Sequence, residues 1–246
     1  MSILVTRPSP SGEELVSRLR TLGLVAWSFP LIEFTPGREL PLLPGLLARL
    51  GANDLAFVLS QHAVSFAHAH LQQAGLSFPT EPAWFAIGRT TALALHTVSG
   101  IDVRYPHDRE ISEVLLQLPE LQDVQGKHAL ILRGNGGREL LAETLTERGA
   151  NVEFCECYQR SAKFYDGAEE AMRWHTRGVS TLVVTSGEML QQLFFTYSSL
   201  VSGELVTSLP PGGGKRTSGE PCPGTGWQEI QVADNADNDA LLRALQ

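Results

Sequence analysis

ILVTRPSPSGEELVSRLRTLG, residues 3–23, returns in altered form as ALILRGNGGRELLAETLTERG, residues 129–149. Arg7 falls on Arg133, Glu13 on Glu139, Leu15 on Leu141, Leu19 on Leu145 and Gly23 on Gly149, all at an offset of 126. Each copy reads as a short apolar strand, a turn of Pro, Gly, Ser or Asn, a helix with leucines four apart, and a glycine where the helix stops. At the same offset LAFVLS (55–60) meets TLVVTS (181–186), each an apolar strand ending in a hydroxyl and followed by a helical pattern. Farther on, Gly100 meets Gly226 and SEVLLQL (112–118) meets NDALLRA (238–244). A duplicated βαβα unit of this kind implies two similar α/β domains, each a parallel sheet flanked by helices. Uninterrupted runs such as AFVL and LVVT suit strands covered on both faces.

One block of the second copy breaks the pattern. WFAIGRTTALALHTVSG (84–100) reads as strand, turn and helix, and its counterpart should occupy 210–226. PPGGGKRTSGEPCPGTG stands there instead, a composition that suits neither a buried strand nor a helix. It is not a phosphate loop either. Gly214-Lys215 is followed by Arg216, where Ser or Thr is required, and Leu209 holds the first glycine position.

Composition narrows the function. With 43% hydrophobic and 19% charged residues, the chain can bury a substantial core. A net charge of −8 argues against broad binding to nucleic acid or an anionic membrane. It still permits an anionic small molecule, held by a few arginines and helix N-termini. No apolar run approaches the roughly 18 residues of a membrane span, and MSILVTRPSPSGEE lacks a signal-peptide pattern. A cytoplasmic location is the expectation. Cys155, Cys157 and Cys222 show no metal-ligand spacing and read as ordinary reduced cysteines. The first two would share one face of a strand. The histidines show no zinc spacing, GNGGRE (134–139) misses the dinucleotide fingerprint, and no nucleophile elbow occurs. Neither a metal nor a cofactor is expected.

Small polar groups collect at the β→α junctions: Ser60-Gln61-His62, Gly88-Arg89-Thr90-Thr91, Arg133-Gly134-Asn135 and Thr185-Ser186-Gly187. Ligands of open α/β sheets bind at strand carboxyl ends, where helix N–H groups face outward. At any one junction, helix capping is the better explanation of a hydroxyl. Repetition in two related domains favours an anion-binding cleft between them. Tyr158, in FCECYQRSA (154–162), falls on Ile32 of FPLIEF at the same offset. Both segments lead out of one βα block into the next and are natural domain crossings. Tyr158 is there either for packing or to present its hydroxyl to the ligand.

Arg7-Pro8 with the Gly12, Leu15, Leu19, Gly23 spacing, FVLSQHAV, AIGRTTALAL, the Gly-Arg-Glu helix leading to CYQR, and VVTSGEML form an ordered set. Together they resemble the uroporphyrinogen-III synthase family, in its enterobacterial form, over residues 1–193 and 226–246. The resemblance implies residues 1–34 plus 162–246 as one discontinuous domain and 38–157 as the other. A two-stranded connector would join them near 33–38 and 156–163. It also implies cofactor-free cyclisation of hydroxymethylbilane, a linear tetrapyrrole, with inversion of ring D. Loss of the terminal hydroxyl as water gives an azafulvene cation. This attacks the substituted carbon of ring D, and a spiro intermediate then fragments and recloses.

The symmetric isomer forms without catalysis, so the enzyme's task is to impose a geometry on a flexible chain. The resemblance carries the family's tyrosine onto Tyr158, as an acid or hydrogen-bond donor to the departing hydroxyl, although a phenol is a weak acid at neutral pH. It carries the family's threonine onto Thr91. Arg7, Ser60, Gln61, His62, Gly88, Thr90, Thr91, Arg133, Gly134, Arg138, Ser186 and Gly187 are the expected substrate-binding residues. A monomer is expected, with hydroxymethylbilane as substrate and transient contact with the preceding pathway enzyme. The competing readings are a non-catalytic two-domain polycarboxylate or tetrapyrrole binder, and a chain inactivated by its aberrant 194–225 segment.

The family normally has a strand, a turn with a hydroxyl residue and a helix where 210–226 stand. One permitted set of codons for Gly213–Gly226, read a single base later, gives VVSERLANLAREL, which is such a block. A pair of compensating frameshifts, opening near 194–196 and closing by Gly226, is therefore expected; a lineage-specific loop is the alternative. As written, the segment predicts poor solubility and little activity. Resequencing the gene should show displaced codons between these points. An intact frame with other codons would exclude the shift.

Overall fold

Apolar runs that alternate between two cores build both sheets. The computed structural model describes residues 2–197, 204–207, 229–232 and 238–245. The chain opens with β1 (Ser2–Val5), α1 (Ser11–Thr21), β2 (Val25–Ser28) and β3 (Ile32–Pro36). It continues through α2 (Leu43–Ala48), β4 (Leu55–Val58), α3 (Gln61–Gln73), β5 (Ala83–Ala86), α4 (Arg89–Ser99), β6 (Val103–Arg104) and α5 (Ser112–Leu115). Next come β7 (His128–Gly134), α6 (Leu140–Glu147), β8 (Asn151–Ala162), α7 (Gly167–Thr176), β9 (Thr181–Val184) and α8 (Gly187–Tyr197). The last elements are β10 (Glu204–Thr207), β11 (Glu229–Val232) and α9 (Asn238–Ala244). Contacts divide the chain into two compact units, Met1–Glu33 with Ser161–Gln246, and Phe34–Arg160.

In the Phe34–Arg160 unit the strand order is β3-β8-β7-β4-β5-β6, parallel from β8 to β6. The central strands β4, β5 and most of β7 are buried on both faces, and their residues alternate between two cores. Ala56 and Val58 of β4, with Leu130 and Leu132 of β7, pack against α3 and α4 through Ala63, Val64, Ala67, Leu71, Ala92 and Leu95. Leu55 and Phe57, with Ala129 and Ile131, face Leu115, Leu141 and Leu145 of α5 and α6. This two-sided burial is why the runs read as uninterrupted apolar stretches. Cys155 and Cys157 of β8 share a face as expected, both free and fully buried, with their Sγ atoms 3.9 Å apart. The hydrogen bond to Cys155, together with burial, pushes the Cys157 thiol far above its ordinary range.

The other unit repeats the plan with the order β11-β10-β9-β1-β2, all parallel. Ile3 and Val5 pack with Leu15, Val16 and Leu19 of α1 and with Leu241, Leu242 and Leu245 at the chain's end. Arg18 of α1 pairs with Asp239 of α9, an exposed contact of small energetic weight. Phe29, just after β2, stacks on Tyr165 at 4.3 Å and meets Trp174 of α7 edge-on at 4.9 Å. Gly23 and Gly149, equivalent in the repeat, both take positive φ, 80° and 89°. A side chain at either would be strained there.

The repeat is visible in the sheets, where the order β2-β1-β9 in one unit corresponds to β8-β7-β4 in the other. It places the partner of β5 at 209–212, and here the structure differs. The slot beside β9 is filled by β10, Glu204–Thr207, paired in parallel with both β9 and β11. The expected gap in the sheet is thus closed by ELVT, five residues ahead of the repeat position. A four-residue β-capable run suffices for a strand slot wherever two neighbouring strands leave their hydrogen-bonding edges free. The expected loss of the following helix concerns 208–228, which lies outside the described residues, as does Cys222.

Phe57 is fully buried and stacks on Phe85 at 5.2 Å. Phe57→Ala should lower unfolding free energy by about 3–5 kcal/mol in urea titration, with the denaturant slope unchanged.

Candidate active site

Parallel pairing puts the carboxyl ends of β7, β4 and β5 on one edge of their sheet, where Ser60, Gly88, Gly134 and their neighbours stand; Arg7, Ser186 and Gly187 belong to the other unit. Gly134 ends β7, Ser60 follows β4, and Gly88 follows β5. Ser60 is the extended N-cap of α3, and its Oγ accepts the Ala63 N–H at 3.2 Å. The same hydroxyl lies 2.9 Å from the Tyr158 hydroxyl. Capping and a polar contact coexist in one side chain.

Tyr158 reaches this edge from β8 because Gly134 has no side chain. A Cβ on Gly134 would lie 2.6 and 2.7 Å from Tyr158 ring atoms, closer than any real packing contact. The register irregularity between Arg133 and Gly134 sets Gly134 opposite Tyr158, and the Asn135 N–H donates to the Tyr158 carbonyl at 3.0 Å. Phe66 stacks against the phenol ring at 5.9 Å, and Phe34 meets it edge-on at 5.6 Å. His62 stacks on Phe34 at 3.9 Å, 5.6 Å from the Tyr158 ring. Tyr158 is therefore a half-buried phenol in an aromatic collar, its hydroxyl held beside the start of α3.

Sequence spacing reveals none of this collar, since Phe34, His62, Phe66 and Tyr158 come together only through the β3-β8-β7-β4 order. Burial lowers the pKa of His62 below the ordinary imidazole value, because an apolar collar disfavours the imidazolium.

The neighbouring junction holds a surprise. α4 begins at Gly88, and the Arg89 N–H donates to Glu110 at 2.8 Å. A side chain on Gly88 would overlap that carboxylate. A carboxylate from this chain thus already occupies the helix N-terminus, as the dipole and free N–H groups favour. No local pattern around Glu110 signals that contact. Thr90 is exposed and lines, with Gln61, a groove of about 460 Å³ between α3 and α4. Thr91 is turned inward and is only 6% exposed.

The two arginines expected beside these junctions engage the protein's own groups. Arg133 lies 3.7 Å above the Phe154 ring and pairs with Glu139 at 2.9 Å. Arg138, well exposed, pairs with Glu113 at 3.2 Å. In the other unit, Ser186 caps α8 by accepting the Met189 N–H at 3.2 Å, and exposed Gly187 begins that helix. Arg7 donates to Asn238 of α9 at 2.7 Å, and Asn238 in turn donates to the Ser11 carbonyl at 3.3 Å. Among the described residues, no helix is long and apolar enough to cross a membrane.

Two like units of parallel α/β sheet, with hydroxyls and one collared phenol at strand carboxyl ends, define a duplicated doubly wound protein suited to a polar ligand. The chain belongs to the uroporphyrinogen-III synthase family: the family model described as uroporphyrinogen-III synthase HemD matches residues 13–243. It is 69% identical over 258 residues to the uroporphyrinogen-III synthase of Salmonella typhimurium, covering 100% of both chains. Against the Escherichia coli enzyme the identity is 65%, with the same coverage. Among solved structures, a mutant uroporphyrinogen III synthase from Thermus thermophilus shares the fold with a TM-score of 0.57 at 18% identity, over 100% of this chain and 99% of that one. Uroporphyrinogen-III synthetase from Helicobacter pylori does so with a TM-score of 0.54 at 14% identity, over 99% and 97%.

Burial of His62 has a measurable consequence. The unfolded imidazole, with a pKa of about 6.5, takes up a proton that the folded one resists, so stability rises with pH through that range. As pH falls below about 6.5 the unfolding midpoint should drop, and His62→Phe should make that drop shallower. Equal slopes in the two proteins would show that His62 does not contribute.

Proposed function

We propose that this chain, a uroporphyrinogen-III synthase by family, cyclises hydroxymethylbilane to uroporphyrinogen III and water with inversion of ring D. The carrying observation is the 69% identity along the full length of a named synthase. The family match extends through residues 13–243 and so takes in the stretch around 194–225.

Tyr158 is the donor in this reading. Its phenol proton goes to the departing hydroxyl, which leaves as water, and the resulting azafulvene attacks the substituted carbon of ring D. The spiro intermediate fragments and recloses at the free α-carbon of ring D as the asymmetric macrocycle, and the proton that carbon loses restores the Tyr158 phenol. A fixed donor and a fixed substrate conformation are what such a reaction needs from a protein, because ring closure itself is intrinsically easy. Ser60, Gln61, His62, Gly88, Thr90, Thr91, Gly134, Ser186, Gly187, Arg7, Arg133 and Arg138 remain the proposed binding set. Among these, the start of α3 supplies N–H groups for a substrate carboxylate, whereas the start of α4 is held by Glu110. The protein works as a cytoplasmic monomer without a cofactor, taking its substrate during transient contact with the preceding pathway enzyme.

Purified protein mixed with hydroxymethylbilane should yield the type III isomer; type I alone would overturn the reading. Tyr158→Phe should lower kcat on the order of a hundredfold, the lower end of general acid contributions, with KM little changed. Near-wild-type turnover would remove Tyr158 from the chemistry.

A further inference from the structure

Ser60 sits between a helix and the phenol. A serine hydroxyl has one proton and two lone pairs. One lone pair is taken by the Ala63 N–H at 3.2 Å, which fixes the hydroxyl at the N-cap of α3. Its other contact among the described residues is the Tyr158 hydroxyl at 2.9 Å. Two hydroxyls at that distance share one hydrogen bond, and its direction decides what Tyr158 can do. If Tyr158 donates to Ser60, its proton is spent within the protein. If Ser60 donates, the phenol proton is left for another acceptor.

The helix favours the second direction. A backbone N–H that donates to Ser60 polarises its O–H and makes it a better donor, and the effect passes along a chain of hydrogen bonds pointing the same way. The chain starts at the N-terminus of a helix from Gln61 to Gln73, whose dipole favours negative charge developing nearby. The collar holds the phenol in place: Gly134 admits the ring, while Phe66 and Phe34 pack against it.

We infer that Ser60 is a positioning residue that turns the Tyr158 hydroxyl outward, through an unbroken Ala63 N–H to Ser60 to Tyr158 hydrogen-bond chain driven from the start of α3. Ser60 need not touch the substrate to do this. The inference rests on the reading of Tyr158 as the proton donor and adds the group that makes its proton available.

Three substitutions separate this role from simple helix capping. Ser60→Ala removes both bonds. Ser60→Asp keeps the cap, because a carboxylate accepts the Ala63 N–H, but it can only accept from Tyr158 and so turns that proton inward. Ser60→Thr keeps both bonds. Steady-state turnover should show Ser60→Ala and Ser60→Asp each reduced roughly tenfold or more in kcat, the weight of one hydrogen bond in the transition state. Ser60→Thr should restore kcat to within about threefold, well inside that margin.

Because Ser60 acts through Tyr158, the kcat losses of Ser60→Ala and Ser60→Asp should vanish when each is made in the Tyr158→Phe background. Thermal melts should show Ser60→Asp and Ser60→Thr as stable as the parent. Ser60→Asp turning over as fast as Ser60→Thr would reduce Ser60 to a cap and overturn the inference. Losses that persist undiminished in the Tyr158→Phe background would overturn it as well. Tyr158→Phe alone turning over like the parent is a different result, and it removes the donor reading on which the inference stands.

Discussion

Everything placed at the strand ends depends on burying both faces of a parallel sheet. β4 and β7 pair residue for residue, Leu55 with Ala129 through Val58 with Leu132. Odd-numbered positions go to one core and even-numbered positions to the other. A slip of one residue would swap the two cores and misalign every strand end. Because the register is locked by two cores at once, the ends of β4, β5 and β7 stay level. Short turns then deliver Ser60, Gly88 and Gly134 to a common edge. Precision in the site is inherited from packing in the sheet.

The second constraint is local. Tyr158 can stand beside Ser60 only because the strand between them ends in a residue without a side chain, so that a phenol fills the place where a Cβ would be. The aromatic collar then restricts the ring from the remaining sides. Each member is an ordinary apolar or amphipathic side chain with its own packing reason. Their joint effect is to hold one hydroxyl at a helix terminus, in partial burial, where hydrogen bonds are stronger than in open water.

Local pattern made the strands, the helices and their repetition readable, because periodic burial and stop signals leave their mark within a few residues. Gly23 and Gly149 are clear examples. Ser60 and Tyr158 could each be singled out, yet the contact between them spans 98 residues and appears only once β8, β7 and β4 are side by side. Arg133 shows the opposite failure. Its strand-end position was readable, but nothing nearby in sequence reveals the Phe154 ring beneath it, and the Glu139 partner six residues on shows only once the turn is folded. Glu110 at the start of α4 was equally invisible, since it arrives from a separate loop. The strand at Glu204–Thr207 escaped because a constant offset assumes that no residues have shifted within the repeat.

The order of strands also governs the order of assembly during synthesis. β1 precedes every other described element in the chain, yet one of its two neighbours, β9, pairs Ile3 with Thr181, and the core over α1 is completed by Leu241 and Leu245. The Phe34–Arg160 unit has all of its strands in hand much earlier. It can close while the ribosome is still at work, whereas the first strand emerges with an unfilled edge and must wait for the final helix. An early strand is thus among the last to be secured.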